Sequence, residues 1–96
     1  MTKAEIVSNV SQKMGIEKAD VQATVESFMK EVISSLENGE NVYLRGFGSF
    51  IIKTRAEKTG RNISKNVAVK IPAHNIPAFK PAKVFVNGVK SKVEVA

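Results

Sequence analysis

A chain of 96 residues, 43% apolar and 25% charged, has the size and balance of one folded domain, and is too short to bury a large core of its own. Fifteen Lys+Arg against nine Asp+Glu give a formal charge of +6 and a pI near 9.8, so the expected partner is a polyanion, nucleic acid ahead of an anionic membrane surface. The absence of cysteine excludes disulfides, thiolate nucleophiles and thiolate metal sites, and no apolar run exceeds three residues, so the reading is a cytoplasmic chain with no membrane span, helped by oligomerisation.

The charge is divided unevenly. Residues 1–40 hold four Lys/Arg against seven Asp/Glu, net −3, whereas residues 41–96 hold eleven against two, net +9. The acidic part reads as a helical hairpin over 1–40. Thr2 followed by Glu5 is a capping-box signature, Ile6, Val7, Val10 and Met14 recur at helical spacing, and Gly15 is a stop. This predicts a first helix over about 3–14. Val21, Val25, Phe28, Met29, Val32, Ile33 and Leu36 form a second stripe ended by Asn38-Gly39, predicting a longer helix over 18–38. Both apolar faces are expected to turn to a shared core.

From residue 41 the period shortens to two. Val42-Tyr43-Leu44-Arg45 reads as a strand, Gly46-Phe47-Gly48 as a turn, Ser49 to Arg55 as a second strand and Val67 to Ile71 as a third. The polar stretch between, the eleven residues Ala56 to Asn66, exceeds an ordinary hairpin loop and reads as part of a long, solvated two-stranded arm over about 53–71. Pro72, Pro77 and Pro81 exclude a central strand over 72–81 and leave an edge segment with fixed bends. The segment from Lys83 to Val89 is ambiguous between strand and helix on its own residues, since β-branching favours the first and Pro81 just ahead favours the second.

Three constellations carry function. Lys53, Arg55, Lys58, Arg61, Lys65 and Lys70, opposed only by Glu57, repel one another in free solution, and phosphates along a duplex would relieve that repulsion. A solvated charged hairpin is the bland alternative. Within the run, Ile63 stands between Asn62 and Ser64 at the most polar point of the arm, where an apolar side chain is either a scattered surface residue or a wedge for base steps. The five phenylalanines, Phe47, Phe50 and Phe79 among them, are a large apolar inventory for so small a chain, and a two-fold dimer would bury rings from both subunits. The Gly46-Phe47-Gly48 run lacks the strand-loop-helix context of a nucleotide site, and the single histidine leaves no metal pair. No cofactor, metal or small-molecule substrate is expected, and catalytic groups are missing for an enzyme.

Gly46-Phe47-Gly48-Ser49-Phe50, Gly60-Arg61-Asn62, Ile71-Pro72-Ala73 and Pro77-Ala78-Phe79-Lys80-Pro81, in this order after two acidic helices, resemble the bacterial histone-like HU/IHF family over residues 1–90. The resemblance implies an α+β intertwined dimer with a helical base, a three-stranded antiparallel saddle, long β-arms and, from Lys83 to Lys90, a short third helix before a tail over 91–96. It places Phe47, Phe50 and Phe79 in the dimer core. Lys53, Arg55, Lys58, Arg61, Asn62, Ile63, Ser64, Lys65 and Lys70 fall along the arm, and Lys3, Gly46, Gly48, Lys80 and Lys83 on the saddle. The partner it implies is double-stranded DNA, bent and compacted in the nucleoid with little sequence preference, by a homodimer or a heterodimer with a paralogue. The family's Arg-Asn-Pro at the arm tip is Arg61-Asn62-Ile63 here, Lys65-Asn66 replaces Thr-Gly, and Ala82 replaces a glycine. A site-specific, IHF-like protein and an RNA-binding or ribosome-associated module are the alternatives.

Overall fold

The structure, a computed structural model, describes residues 1–62 and 67–95. Helix α1 (Lys3–Met14) starts where Thr2 Oγ1 accepts the Glu5 N–H at 3.3 Å, so the hydroxyl half of the capping box forms. It stops at Gly15, whose N–H donates to Ser11 O. Helix α2 (Lys18–Glu37) returns alongside and ends as Asn38 and Gly39 close onto Ser34 and Leu36.

Strands β1 (Val42–Leu44), β2 (Gly48–Arg55) and β5 (His74–Pro81) form one antiparallel sheet in the order β1-β2-β5; β3 (Lys58–Asn62) and β4 (Val67–Ile71) form a separate two-stranded ladder. The strand Val67–Ile71 therefore belongs to the arm, and the sheet's third strand is the proline-bearing segment. Pro77 and Pro81, opposite Ile52 and Gly48, are four residues apart. Both thus fall at positions where the ladder asks for no N–H, which is how an edge strand carries two prolines without losing pairing. The same parity makes Phe50 and Phe79 a close, non-hydrogen-bonded pair, with ring centroids 5.0 Å apart. β1 is too short to reach Ile52, and Asn41 Oδ1 takes that N–H at 3.0 Å.

Helix α3 (Lys83–Lys92) runs two residues past the expected end, taking Ser91 and Lys92 from the segment read as tail. Two lysines in its last turn suit the negative end of the helix dipole, and the Ser91 hydroxyl donates to Gly88 O.

The shared helical core is smaller than the stripes predict. Among the described residues only Val7, Val21 and Val32 are buried apolar side chains, while Phe28, Met29 and Ile33 of the same α2 stripe remain exposed. The stripe is wider than one hairpin can cover. The chain is also open: its radius of gyration is 19.0 Å where about 13 Å is usual for this length. Its accessible surface of 8324 Å² compares with roughly 5,400 Å² for a compact monomer of its mass.

Candidate nucleic-acid interface

Strand alternation sorts the sheet's two faces by chemistry. In register, Tyr43, Ser49 and Lys80 form one row, followed on the same face by Ile51 beside Ala78, Lys53 beside Ile76, and Arg55 beside His74. The opposite face carries Val42, Phe50 and Phe79 in one row. Cations and rings thus project from opposite sides of a single layer. Phe47–Phe79 at 5.2 Å, Phe47–Phe85 at 5.7 Å and Phe79–Phe85 at 6.2 Å complete a four-ring cluster with Phe50. Phe47, Phe79 and Phe85 are still 46%, 40% and 38% exposed, so the cluster is assembled but uncovered.

The turn at the sheet's end brings distant cations together. Phe47 N–H donates to Leu44 O at 2.9 Å, closing a β-turn in which Gly46 holds φ 82°, a left-handed value that costs glycine little. A Cβ on Gly48 would lie 2.6 Å from Lys80 O and 2.7 Å from the Phe79 ring, so β5 can approach β2 only because residue 48 has no side chain. Phe47 O in turn accepts the Ala82 N–H at 2.9 Å, which fixes the start of α3 beside the turn. The result is an open cleft of about 540 Å³ lined by Tyr43, Arg45, Gly46, Ser49, Lys80 and Lys83. Ala82 provides no side-chain cap to α3, so the N–H groups of its first turn remain available to an anion.

The other cations are distributed as follows. Lys53 and Arg55 lie on the exposed end of β2, within the body ladder, so the arm ladder begins later than residue 53, at Lys58. Arg61 and Asn62 are in β3 opposite Ala68 and Val67. Ile63, Ser64, Lys65 and Asn66 lie outside the described residues. Two of the expected phosphate ligands are already engaged within the chain. Lys70 Nζ is 3.1 Å from Glu57 Oε1, and Lys3 Nζ is 3.7 Å from Glu26 Oε1. The Gln22 amide donates to Glu26 at 3.0 Å, and this bond first, with Lys3 second, holds the Glu26 carboxyl below its ordinary value.

Sequence reasoning leaves Arg45 and Tyr43 out of the candidate site, and counts Phe85 among the rings without placing it beside Phe47 and Phe79. Arg45 is visible as a charge directly before a glycine turn; Phe85 is hidden by its ambiguous segment.

The chain matches the model of the family described as bacterial DNA-binding protein over residues 1–90. It is 38% identical over 92 residues to the SPbeta prophage-derived DNA-binding protein HU 2 of Bacillus subtilis, covering 96% of this chain and all of that one. It is 40% identical over 96 residues to the integration host factor subunit alpha of Proteus mirabilis, covering all of this chain and 94% of that one. The Anabaena HU–DNA cocrystal structure superposes with a TM-score of 0.89 at 35% identity, covering 93% of this chain and 97% of that chain. With three exposed rings clustered against one face of its sheet, cations on the other and a paired arm beyond, this chain belongs to the bacterial DNA-binding family of histone-like HU and integration host factor proteins.

Proposed function

We propose that this protein is a non-enzymatic architectural protein that binds, bends and compacts double-stranded DNA as a two-fold dimer in the nucleoid, with little sequence preference. The observation that carries this reading is the division of the sheet, rings on one face and Tyr43, Lys80, Lys53 and Arg55 on the other. The ring face fits a second copy of the chain, which would cover Phe47, Phe50 and Phe79 and the exposed α2 stripe in one interface. The cation face and the arm then fit a duplex lying across the saddle. Lys80 and Lys83, with the Gly46–Gly48 turn, hold a phosphate near the α3 start; Lys3 holds a flanking phosphate. Lys53 and Arg55 extend the cation face of the saddle towards the arm, and Lys58, Arg61, Asn62, Ser64, Lys65 and Lys70 follow the backbone and groove along it.

At the tip, Ile63 acts as the wedge between base steps in place of the family's proline. Unstacking and bending cost a few kcal/mol each, offset by the phosphate contacts that the bend adds. Energy transfer between duplex ends, measured for wild type, Ile63→Pro and Ile63→Ala, tests this. Equal bending by isoleucine and proline with a reduced angle for alanine is the expected result; bending by the proline variant alone would mean that the wild type coats DNA without kinking it.

The kinship with integration host factor subunit alpha supports a second, site-specific reading. A single sharp motif returned by selection from random duplexes would favour it. Sheet-based RNA readers display several aromatics on the binding face, whereas of five Phe and one Tyr only Tyr43 stands on the cation face here.

A further inference from the structure

The arm ladder is not a continuation of the body ladder. Pairing of β2 with β5 ends at Arg55↔His74, pairing of β3 with β4 begins at Lys58↔Ile71, and Ala56-Glu57 and Pro72-Ala73 lie between without ladder partners. Side-chain contacts flank this break, and one of them runs from within it to the facing strand. Thr54 Oγ1 donates to Asn75 Oδ1 at 2.7 Å on the body side, and His74 Nδ1 donates to Pro72 O at 3.0 Å within it. On the arm side, Lys70 Nζ reaches Glu57 Oε1 at 3.1 Å.

Glu57 is the only carboxylate between residues 41 and 93, and its surroundings in the chain are Lys53, Arg55, Lys58 and Lys70. Of these, Lys70 is the one in contact, and alternation separates it from Lys58. Thr59↔Lys70 is a pair, so Lys70 shares its face with Thr59 and, by parity, with Glu57, while Lys58 projects from the other face. The side chains of Lys70 and Glu57 are 73% and 53% exposed. A phosphate can therefore reach Lys70 without any part of the fold moving aside.

We propose that Glu57 is an internal competitor for the DNA backbone: in the free protein it holds Lys70 across the break in pairing, and on duplex binding a phosphate takes Lys70 while Glu57 is released to water. The proposal rests on the arm's reading as a DNA-binding element. Lys70 then contributes less to affinity than its position implies, because its gain from phosphate is measured against a carboxylate already in place. The wild-type salt dependence is correspondingly shallower than the count of arm cations predicts, since the internal pair is screened by the same ions as the intermolecular one.

The test uses the full chain and a mixed-sequence duplex, titrated at several salt concentrations with wild type, Glu57→Gln, Lys70→Gln and the double variant, each shown by thermal melting to be folded. Glu57→Gln is expected to bind several-fold tighter at low salt. If in wild type the freed Glu57 of each of two arms takes up one cation and so cancels one counterion release, the affinity of Glu57→Gln, which takes up none, falls about 12-fold more than wild type's between about 50 and about 200 mM salt. In the Lys70→Gln background the Glu57 substitution is expected to leave that slope unchanged. An equal effect of Glu57→Gln with and without Lys70 would overturn the proposal, because the carboxylate would then act as a general repulsive charge. So would no difference between Glu57→Gln and wild type. Failure of wild type to bind the duplex at any salt would overturn the DNA reading of the arm itself, and the proposal with it.

Discussion

The body and the arm of this chain both leave surface open, but different surface. In the body, Phe47, Phe79 and Phe85 stand in contact with one another and remain more than a third exposed. Removing such rings from water gives roughly 25 cal/mol per Å², so an apolar partner completes the body. In the arm, every residue of β4 is exposed and the flanking charges are almost all positive, so apolar covering would strand cations and only an anion relieves them. One chain thus carries two incomplete surfaces that ask for different partners, and occupation of one does not compete with occupation of the other.

The body's apolar surface is most vulnerable at Phe79, which touches three other rings. Phe79→Ala is expected to cost about 3–5 kcal/mol, with melting that becomes strongly concentration-dependent as the dimer weakens. Sedimentation at two concentrations and a melting curve check this; an unchanged dimer would show that the ring face is not the interface. Gly48→Ala comes next, because its Cβ meets Lys80 O and the Phe79 ring below 3 Å. Pushing β5 off β2 is expected to cost about 1–3 kcal/mol, and it disturbs both faces at once: stability falls by melting and duplex affinity falls by titration.

The cation face of the body, where it leads to the arm, is tested by the double change Lys53→Ala with Arg55→Ala, on the exposed end of β2. Melting should stay within about 0.5 kcal/mol of wild type, as for surface substitutions. The plot of log affinity against log salt should flatten by about 0.9 for every phosphate that a subunit no longer neutralises. A drop in melting temperature with an unaltered slope would reverse the assignment.

The smallest effect is expected at the α1–α2 pair. Because the Glu26 carboxyl is held below its ordinary value of 4.5 by Gln22 and Lys3, its contribution is present above that value and is lost as pH falls through the lowered one. Melting followed from pH 6 to pH 3 should decline less steeply for Glu26→Gln than for wild type. Parallel profiles would remove the role given to this group.

Much of this is legible before folding because it is local. Thr2, Gly15 and Asn38-Gly39 mark helix ends, since capping groups act within one turn, and all three mark the observed ends. The period change at Val42 marks the sheet for the same reason. Residues 67–71 read as a third strand but pair in the arm instead of the body sheet, because alternation reports a strand and not its partner. The expected end of α3 falls two residues early, and Phe85 stays out of the expected ring cluster, because an isolated segment of β-branched residues does not say which neighbour it meets.

By itself, the amino-acid sequence determined the helical hairpin, the turn at Gly46–Gly48, the basic arm and the family, each resting on short-range spacing or on composition. Only the tertiary structure decided which face of the sheet carries Lys80, Lys53 and Arg55 and which the rings, that Arg45 and Lys83 line one cleft, and that Lys70 is held by Glu57. Those facts depend on register across strands far apart in the chain, which a one-residue slip would invert and which no local pattern encodes.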